Sequence, residues 1–387
     1  MIHSLEIVLG LLALVILLDV AASKFALPSP FLLLPAGMFL GFLPHVPPVT
    51  LDPDLVMNVF LPPLVYAGAA LGSWADFREN LRPITLLSVG CVLFTTLAVA
   101  LAAHSAIPGI GWGAAFVLGA VVSPPDEVAA ISIARRLGIP KAISAILEGE
   151  GLVNDATALT VYRFAAAAIV THSFSLVQAT GSFAAVIFGE ILWGVLIGWI
   201  SLTIRRTLRN SSLEISLSLI TPFMAYLPAE LMGGTGVLAT VAAGLYVGYA
   251  NSSMVAAVTR LEAAAVWQII EFVLDGILFL VAGMQLPRIL GPLRHTGSAL
   301  LWEYAIGICL LVIVLRFLWV FGVAKLLKVV GITMRRGEPN PRWQRFFLVS
   351  WSGMRGAISL AAALSIPLVT HAGSPFPDRD LIIFLTF

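Results

Sequence analysis

Residues 111–133 read GWGAAFVLGAVVSPPDEVAAISI, an apolar run with Ser123-Pro124-Pro125-Asp126-Glu127 at its centre. A helix that crosses a bilayer needs about 20 mostly apolar residues, and this run is long enough. Pro124 and Pro125 cannot donate backbone hydrogen bonds, so the helix opens between its halves. Irregular backbone at membrane depth is tolerated only where protein or a water-filled cavity surrounds it. Opened carbonyls and half-helix ends beside Asp126 and Glu127 suit coordination of a cation. The plainer reading is a proline kink whose acids cap the second half-helix.

The next apolar run, 141–169, contains Glu148-Gly149-Glu150-Gly151-Leu152-Val153-Asn154-Asp155. An ionisable residue at the bilayer centre costs about 2.5–3.5 kcal/mol on insertion scales and therefore marks function. Glu150 and Asp155 are about 500° apart on a helix and do not share a face. Asn154 and Asp155 are neighbours that border one cavity, whereas Glu150 needs a partner of its own, because an unpaired buried carboxylate protonates. Arg355 is the natural candidate. It sits in Ser352-Gly353-Met354-Arg355-Gly356, which interrupts the apolar run 346–370, and its guanidinium fork matches a carboxylate. The expected arrangement is a structural Glu150–Arg355 pair with Asp155 left free to titrate. Further on, Glu271 precedes Asp275 by one turn; either suits Arg163 or Arg316, and the sequence does not choose.

Apolar runs of spanning length recur along all 387 residues. They lie near 4–22, 29–44, 54–73, 83–103, 111–133, 141–169, 180–204, 212–228, 233–250, 263–286, 298–324 and 346–370. A thirteenth begins at Leu381 and is cut off at Phe387, inside its helix. The first run lacks the positive flank of a cleaved signal. Apolar residues make up 59% of the chain and charged residues 11%, against about 25% charged in soluble domains. A soluble enzyme, a disordered chain and a nucleic-acid binder are excluded, the last also by a net charge of +1. Cys91 and Cys309 lie in apolar runs and read as buried thiols. Loops after odd-numbered spans hold sixteen Lys and Arg, from Lys24 to Arg345. Loops after even-numbered spans hold three: Arg288, Arg294 and Arg379. This bias puts the amino terminus outside. The breaks at Pro124-Pro125 and at Gly353 to Gly356 lie in spans 5 and 12. Paired broken helices at an odd offset point to an inverted-repeat secondary transporter.

The chain resembles bacterial sodium/proton antiporters of the monovalent cation:proton antiporter-1 family, the NhaP/NHE type. Four segments carry the resemblance: Phe60-Leu61-Pro62-Pro63-Leu64, Ser123-Pro124-Pro125-Asp126, Glu148 to Leu159, and Gly353-Met354-Arg355-Gly356-Ala357-Ile358-Ser359-Leu360. It implies an all-α, thirteen-span inverted-repeat fold formed as one transporter domain over 1–387. Two crossed broken helices would lie in a core near 83–169 and 298–387, and the remaining helices would form a dimerisation scaffold. It also implies that Asp155, with Asp126 and Asn154, holds the transported ion, and that Glu150 and Arg355 form a fixed salt bridge. The Asn-Asp pair implies electroneutral exchange of one cation, sodium first, for one proton, with no cofactor, in a plasma membrane. A potassium/proton exchanger, a cation channel and an inactive member share this architecture. The chain departs from the family pattern in three places. Ala67 stands where many members have glutamate and Gly151 where many have serine, while Glu127 replaces a small apolar residue. Glu127 then either supplies a missing ligand or tunes the field of the inner funnel. An intramembrane hydrolase would need a nucleophile with its base. No span carries a His, which leaves only an aspartyl dyad of Asp126 and Asp155.

Overall fold

The computed structural model describes residues 2–25, 27–44, 52–126, 131, 139, 141–171, 176–208, 210–291, 293, 298–329, 343–353, 357–370 and 373–387. The helices are α1 (Ile2–Lys24), α2 (Pro30–Phe42), α3 (Pro53–Leu71), α4 (Trp74–Glu79), α5 (Leu81–Ala106), α6 (Trp112–Val122), α7 (Lys141–Thr171) and α8 (Leu176–Leu208). They continue with α9 (Ser211–Leu231), α10 (Val237–Met254), α11 (Ala257–Met284), α12 (Leu286–Leu290), α13 (Ser298–Val329), α14 (Trp343–Trp351), α15 (Ala357–Leu364) and α16 (Arg379–Thr386). Apart from an isolated bridge between Val369 and Pro375, no strand occurs among the described residues.

Helical residues occur in every apolar run read from the sequence, as expected of an all-α polytopic protein. Among the described residues, six stretches are long and apolar enough to cross a membrane: most of α1 and α8, all of α3 and α5, α11 with α12, and most of α13. Shorter apolar helices are α2, α6 and most of α10. Local sequence sets several ends. Asn210 caps α9 by accepting from the amides of Ser212 and Leu213 at 2.9 and 3.3 Å. Asp52 caps α3 through the amide of Asp54 at 3.0 Å. Ahead of Pro62-Pro63, α3 widens into a π turn over Val56–Phe60.

Both expected breaks are present. α6 stops at Val122 and residues 123–126 are not helical; α14 stops at Trp351 and α15 starts at Ala357. Glu127, Arg355 and Gly356 lie outside the described residues.

One set of helices packs around α6, which touches α5, α7, α15 and α16, with α13 bridging α5 and α14. A second set joins α8 to α9 and α10, α10 to α3, and α11 to α1 and α2. The two meet where α7 touches α10 and α11 touches α15. Small residues permit close approach within each set. A Cβ on Gly37 of α2 would fall 2.1 Å from the carbonyl oxygen of Leu280 on α11. In lipid, where the apolar environment supplies no hydrophobic drive between helices, such backbone contact is what holds helices together.

Candidate ion-exchange site

The site begins at the backbone that the prolines leave open. Asn154, fully buried on α7, donates from Nδ2 to the carbonyl of Pro125 at 3.0 Å. The Pro125 carbonyl thus has a side-chain donor, and α7 is tied to the break that follows α6. The other amide atom, Asn154 Oδ1, is buried and has no hydrogen-bond partner among the described residues. Asp155, the next residue, is half-buried, and none of the described residues hydrogen-bonds its carboxylate. Asp126 is close enough for its charge to be felt at Asp155.

Asp155 and Asp126 line a cavity of about 510 Å³. Glu148, Glu271 and Asp275 line it as well, and among the described residues no Lys, Arg or His does. Five carboxyl groups lining one cavity inside low-dielectric walls favour cations over anions there. α3 contributes Gly68, Gly72 and Ser73 to the wall, and α15 contributes Ile358 and Ser359. A second cavity of about 340 Å³ shares Gly68, Gly72, Ser73 and Glu148 and continues past Asp76 and Lys141. The space therefore leads toward α4. On another side of Asp155, toward Leu159 and Tyr162, a pocket of about 10 Å³ lies among the described residues, on the order of one water. Tyr162 closes that side with a hydroxyl contact to Ser365 at 3.1 Å. Asp155 thus lies between a wide cavity and a tight seal.

Glu150 points away from this cavity. Its carboxylate is fully buried and meets Arg316 of α13 in a two-pronged pair, Nη1 to Oε1 at 2.6 Å and Nη2 to Oε2 at 2.9 Å. Arg316 also donates to the carbonyl of Val349 through Nε at 3.1 Å and Nη2 at 3.0 Å. α7, α13 and α14 are joined at one point. The sequence reading gave this role to Arg355, which lies outside the described residues; the guanidinium that holds both oxygens of Glu150 belongs to Arg316. The reason is geometric. Arg316 lies in an unbroken span and crosses the interruption of span 12, where a Cβ on Gly353 would sit 2.3 Å from Arg316 Cδ. Glycine at 353 makes room for that crossing.

Arg163 is also committed, to Glu230 at 3.2 Å and to the carbonyl of Gly234. The two arginines considered for Glu271 and Asp275 are therefore engaged elsewhere. Ala67 is fully buried in a cluster with Tyr66 and Trp267 and is not part of the cavity wall, whereas Gly151 is. Gln268 lines the cavity without having been singled out in the sequence, and Ser359, quoted only as part of the segment after Gly353, was given no role there. Ser359 is an isolated polar residue just after a break, and Gln268 lies seven residues before Asp275; both signals were legible.

The family model described as sodium/hydrogen exchanger, transmembrane, matches residues 10–387. A "Sodium, potassium, lithium and rubidium/H(+) antiporter" of Bacillus pumilus is 34% identical over 93% of the chain. The chain spans just over half, 55%, of that protein's length. An uncharacterised Na(+)/H(+) exchanger of Mycobacterium bovis is 33% identical over 100% of the chain and 71% of its own length. Among solved structures, the sodium proton antiporter MjNhaP1 of Methanocaldococcus jannaschii superposes with a TM-score of 0.75. That match covers 100% of this chain and 94% of MjNhaP1 at 18% identity, and so speaks to the fold. On the family match, with the helical architecture and broken helices described above, the chain is a multi-pass membrane protein that belongs to the transmembrane sodium/hydrogen exchanger family.

Proposed function

We propose that the protein is a secondary antiporter that exchanges a monovalent cation, sodium first, for a proton, with Asp155 as the group for which the two compete. One observation carries this reading: Asp155, which no described residue hydrogen-bonds, lines a cavity together with Asp126, Glu148, Glu271 and Asp275, at the interruption that follows α6. Low-dielectric surroundings favour the neutral carboxyl, and a bound cation favours the charged one. Proton and cation therefore exclude each other. Asp126 adds a second hard oxygen donor, and Asn154 Oδ1, buried without a partner, is suited to a third. An empty, charged site is too costly to bury, so only the loaded or protonated site crosses.

The helices near 83–169 and 298–387 are read as a moving core, and the remaining helices as a static scaffold that dimerises in the bilayer. The amino terminus is placed outside and the membrane is taken as a plasma membrane. With one aspartate beside Asn154, the exchange is 1:1 and electroneutral. A broader cation range is favoured by the name of the Bacillus pumilus relative, which includes potassium, lithium and rubidium. Proteoliposomes carrying a pH-sensitive dye, challenged with each ion in turn, test the reading. Proton movement driven by sodium or potassium is expected, and no response to any alkali cation rejects it.

A further inference from the structure

The mechanism above uses the wall formed by α6 and α7. Another part of the wall, α11, carries three polar residues at intervals of three and four: Gln268, Glu271 and Asp275. At 100° per residue they fall within about 60° of one another, on one face, and all three line the 510 Å³ cavity. Exposure falls along the row: Gln268 is exposed, while Glu271 and Asp275 are half-buried. Other sides of α11 are packed, with Trp267 against Tyr66 and Gly276 against Val15. The row therefore descends from solvent toward the floor of the cavity.

Asp275 has no hydrogen-bond or ion-pair partner among the described residues, and the charges of Asp126 and Glu271 are both felt there. A carboxylate kept at membrane depth without a donor is costly, and lone acids in spans pair with one another, with a base or with an ion. Arg163 and Arg316 are already committed. Next to Asp155 along α7, the fully buried Asn154 Oδ1 has no hydrogen-bond partner among the described residues and independently marks oxygen left over for a cation, though Asn154 itself is not in the cavity wall.

We propose that Asp275 is a second cation-binding carboxylate of the exchange reaction, fixed on α11 in the wall of the same cavity as Asp155, with Gln268 and Glu271 leading cations to it along the same face. The proposal rests on the antiport reading and adds a residue to it. Asp275 belongs to the helix set that includes α1 and α2, whereas Asp155 belongs to the set around α6. In the arrangement open toward α4 the two face a common space. A cation leaving Asp155 meets Asp275 before bulk water. Because Asp275 does not travel with the loaded site, its charge leaves the 1:1 stoichiometry unchanged.

The test is the apparent sodium affinity at fixed pH in oriented proteoliposomes, with sodium supplied to either face. Asp275→Asn and Asp275→Ser are each expected to lose affinity about tenfold on the face nearer α4, the scale of removing one nearby charge. The other face should be unaffected, and Asp275→Glu should stay within about threefold of the parent. Equal affinity in both neutral variants, or an equal loss on both faces, overturns the proposal. If the parent exchanges no cation, the antiport reading itself fails, which is a distinguishable outcome. A second measurement needs no variant: saturating sodium should protect Asp275 of the parent chain from carbodiimide, mapped by peptide. Modification indifferent to sodium overturns the proposal even if the neutral variants do not assemble.

Discussion

Asp155 and Glu150 sit on one helix, five residues apart, and do opposite work because their surroundings differ. Both oxygens of Glu150 are spoken for by Arg316, while Asp155 borders open space and no described residue hydrogen-bonds it. Asp155→Asn is therefore expected to abolish exchange and leave the detergent melting temperature close to the parent's, because an amide cannot alternate between proton and cation. Exchange at the parental rate would remove Asp155 from the mechanism. Arg316→Ala should fail differently. It strands a buried carboxylate, a loss of about 3–5 kcal/mol for a broken buried pair, read as poor expression and a lowered melting temperature. Pairing Arg316→Met with Glu150→Gln removes both charges and is expected to recover most of that loss. A double variant no more stable than Arg316→Ala would show that the charge pair is not what the site needs.

At the scale of elements, each break is held by a side chain from an unbroken helix. Asn154 of α7 serves the carbonyl of Pro125, and Arg316 of α13 serves the carbonyl of Val349 at the end of α14. Helix ends leave carbonyls without partners, and in a membrane no water replaces them. These donors let interrupted helices persist there. Gly353→Ala places a methyl group against the Arg316 stem. It is expected to lower the melting temperature of the parent and to have little further effect in the Arg316→Ala background. Additive losses in the double variant would show that Gly353 acts apart from Arg316, since independent sites add and touching sites do not.

Among the described residues, Asp155 has the 510 Å³ cavity on one side and the Tyr162–Ser365 contact on the other. An exchanger needs this asymmetry, because a path open at both ends is a channel. If one proton is traded for one monovalent cation, no net charge crosses in a cycle. Exchange measured under a potassium–valinomycin clamp, with sodium as the substrate, is expected to run at the same rate at zero and at strongly negative potential. Clear acceleration by the potential would mean that a second charge moves, with Asp126 the first residue to examine.

Much of this protein was written in its order of residues. Runs of about 20 apolar residues can only be membrane helices where charge is this scarce, and Pro124-Pro125 must open a helix wherever that helix lies. A carboxylate at membrane depth is too costly to be idle, so Asp126, Asn154 and Asp155 stood out before any folding. All of these follow from local chemistry along one helix. Partner choice does not. The sequence pointed to Arg355 for Glu150 and considered Arg316 only for Glu271 or Asp275, and only the packing of α7 against α13 and α14 brings the Arg316 guanidinium to both oxygens of Glu150. The approach of Asp275 to the space beside Asp155, the absence of Ala67 from that space and the seal at Tyr162 were likewise decided by how helices far apart in sequence lean on one another. A side chain's direction is set by its own helix, but what it faces is set by the neighbours that tertiary packing supplies.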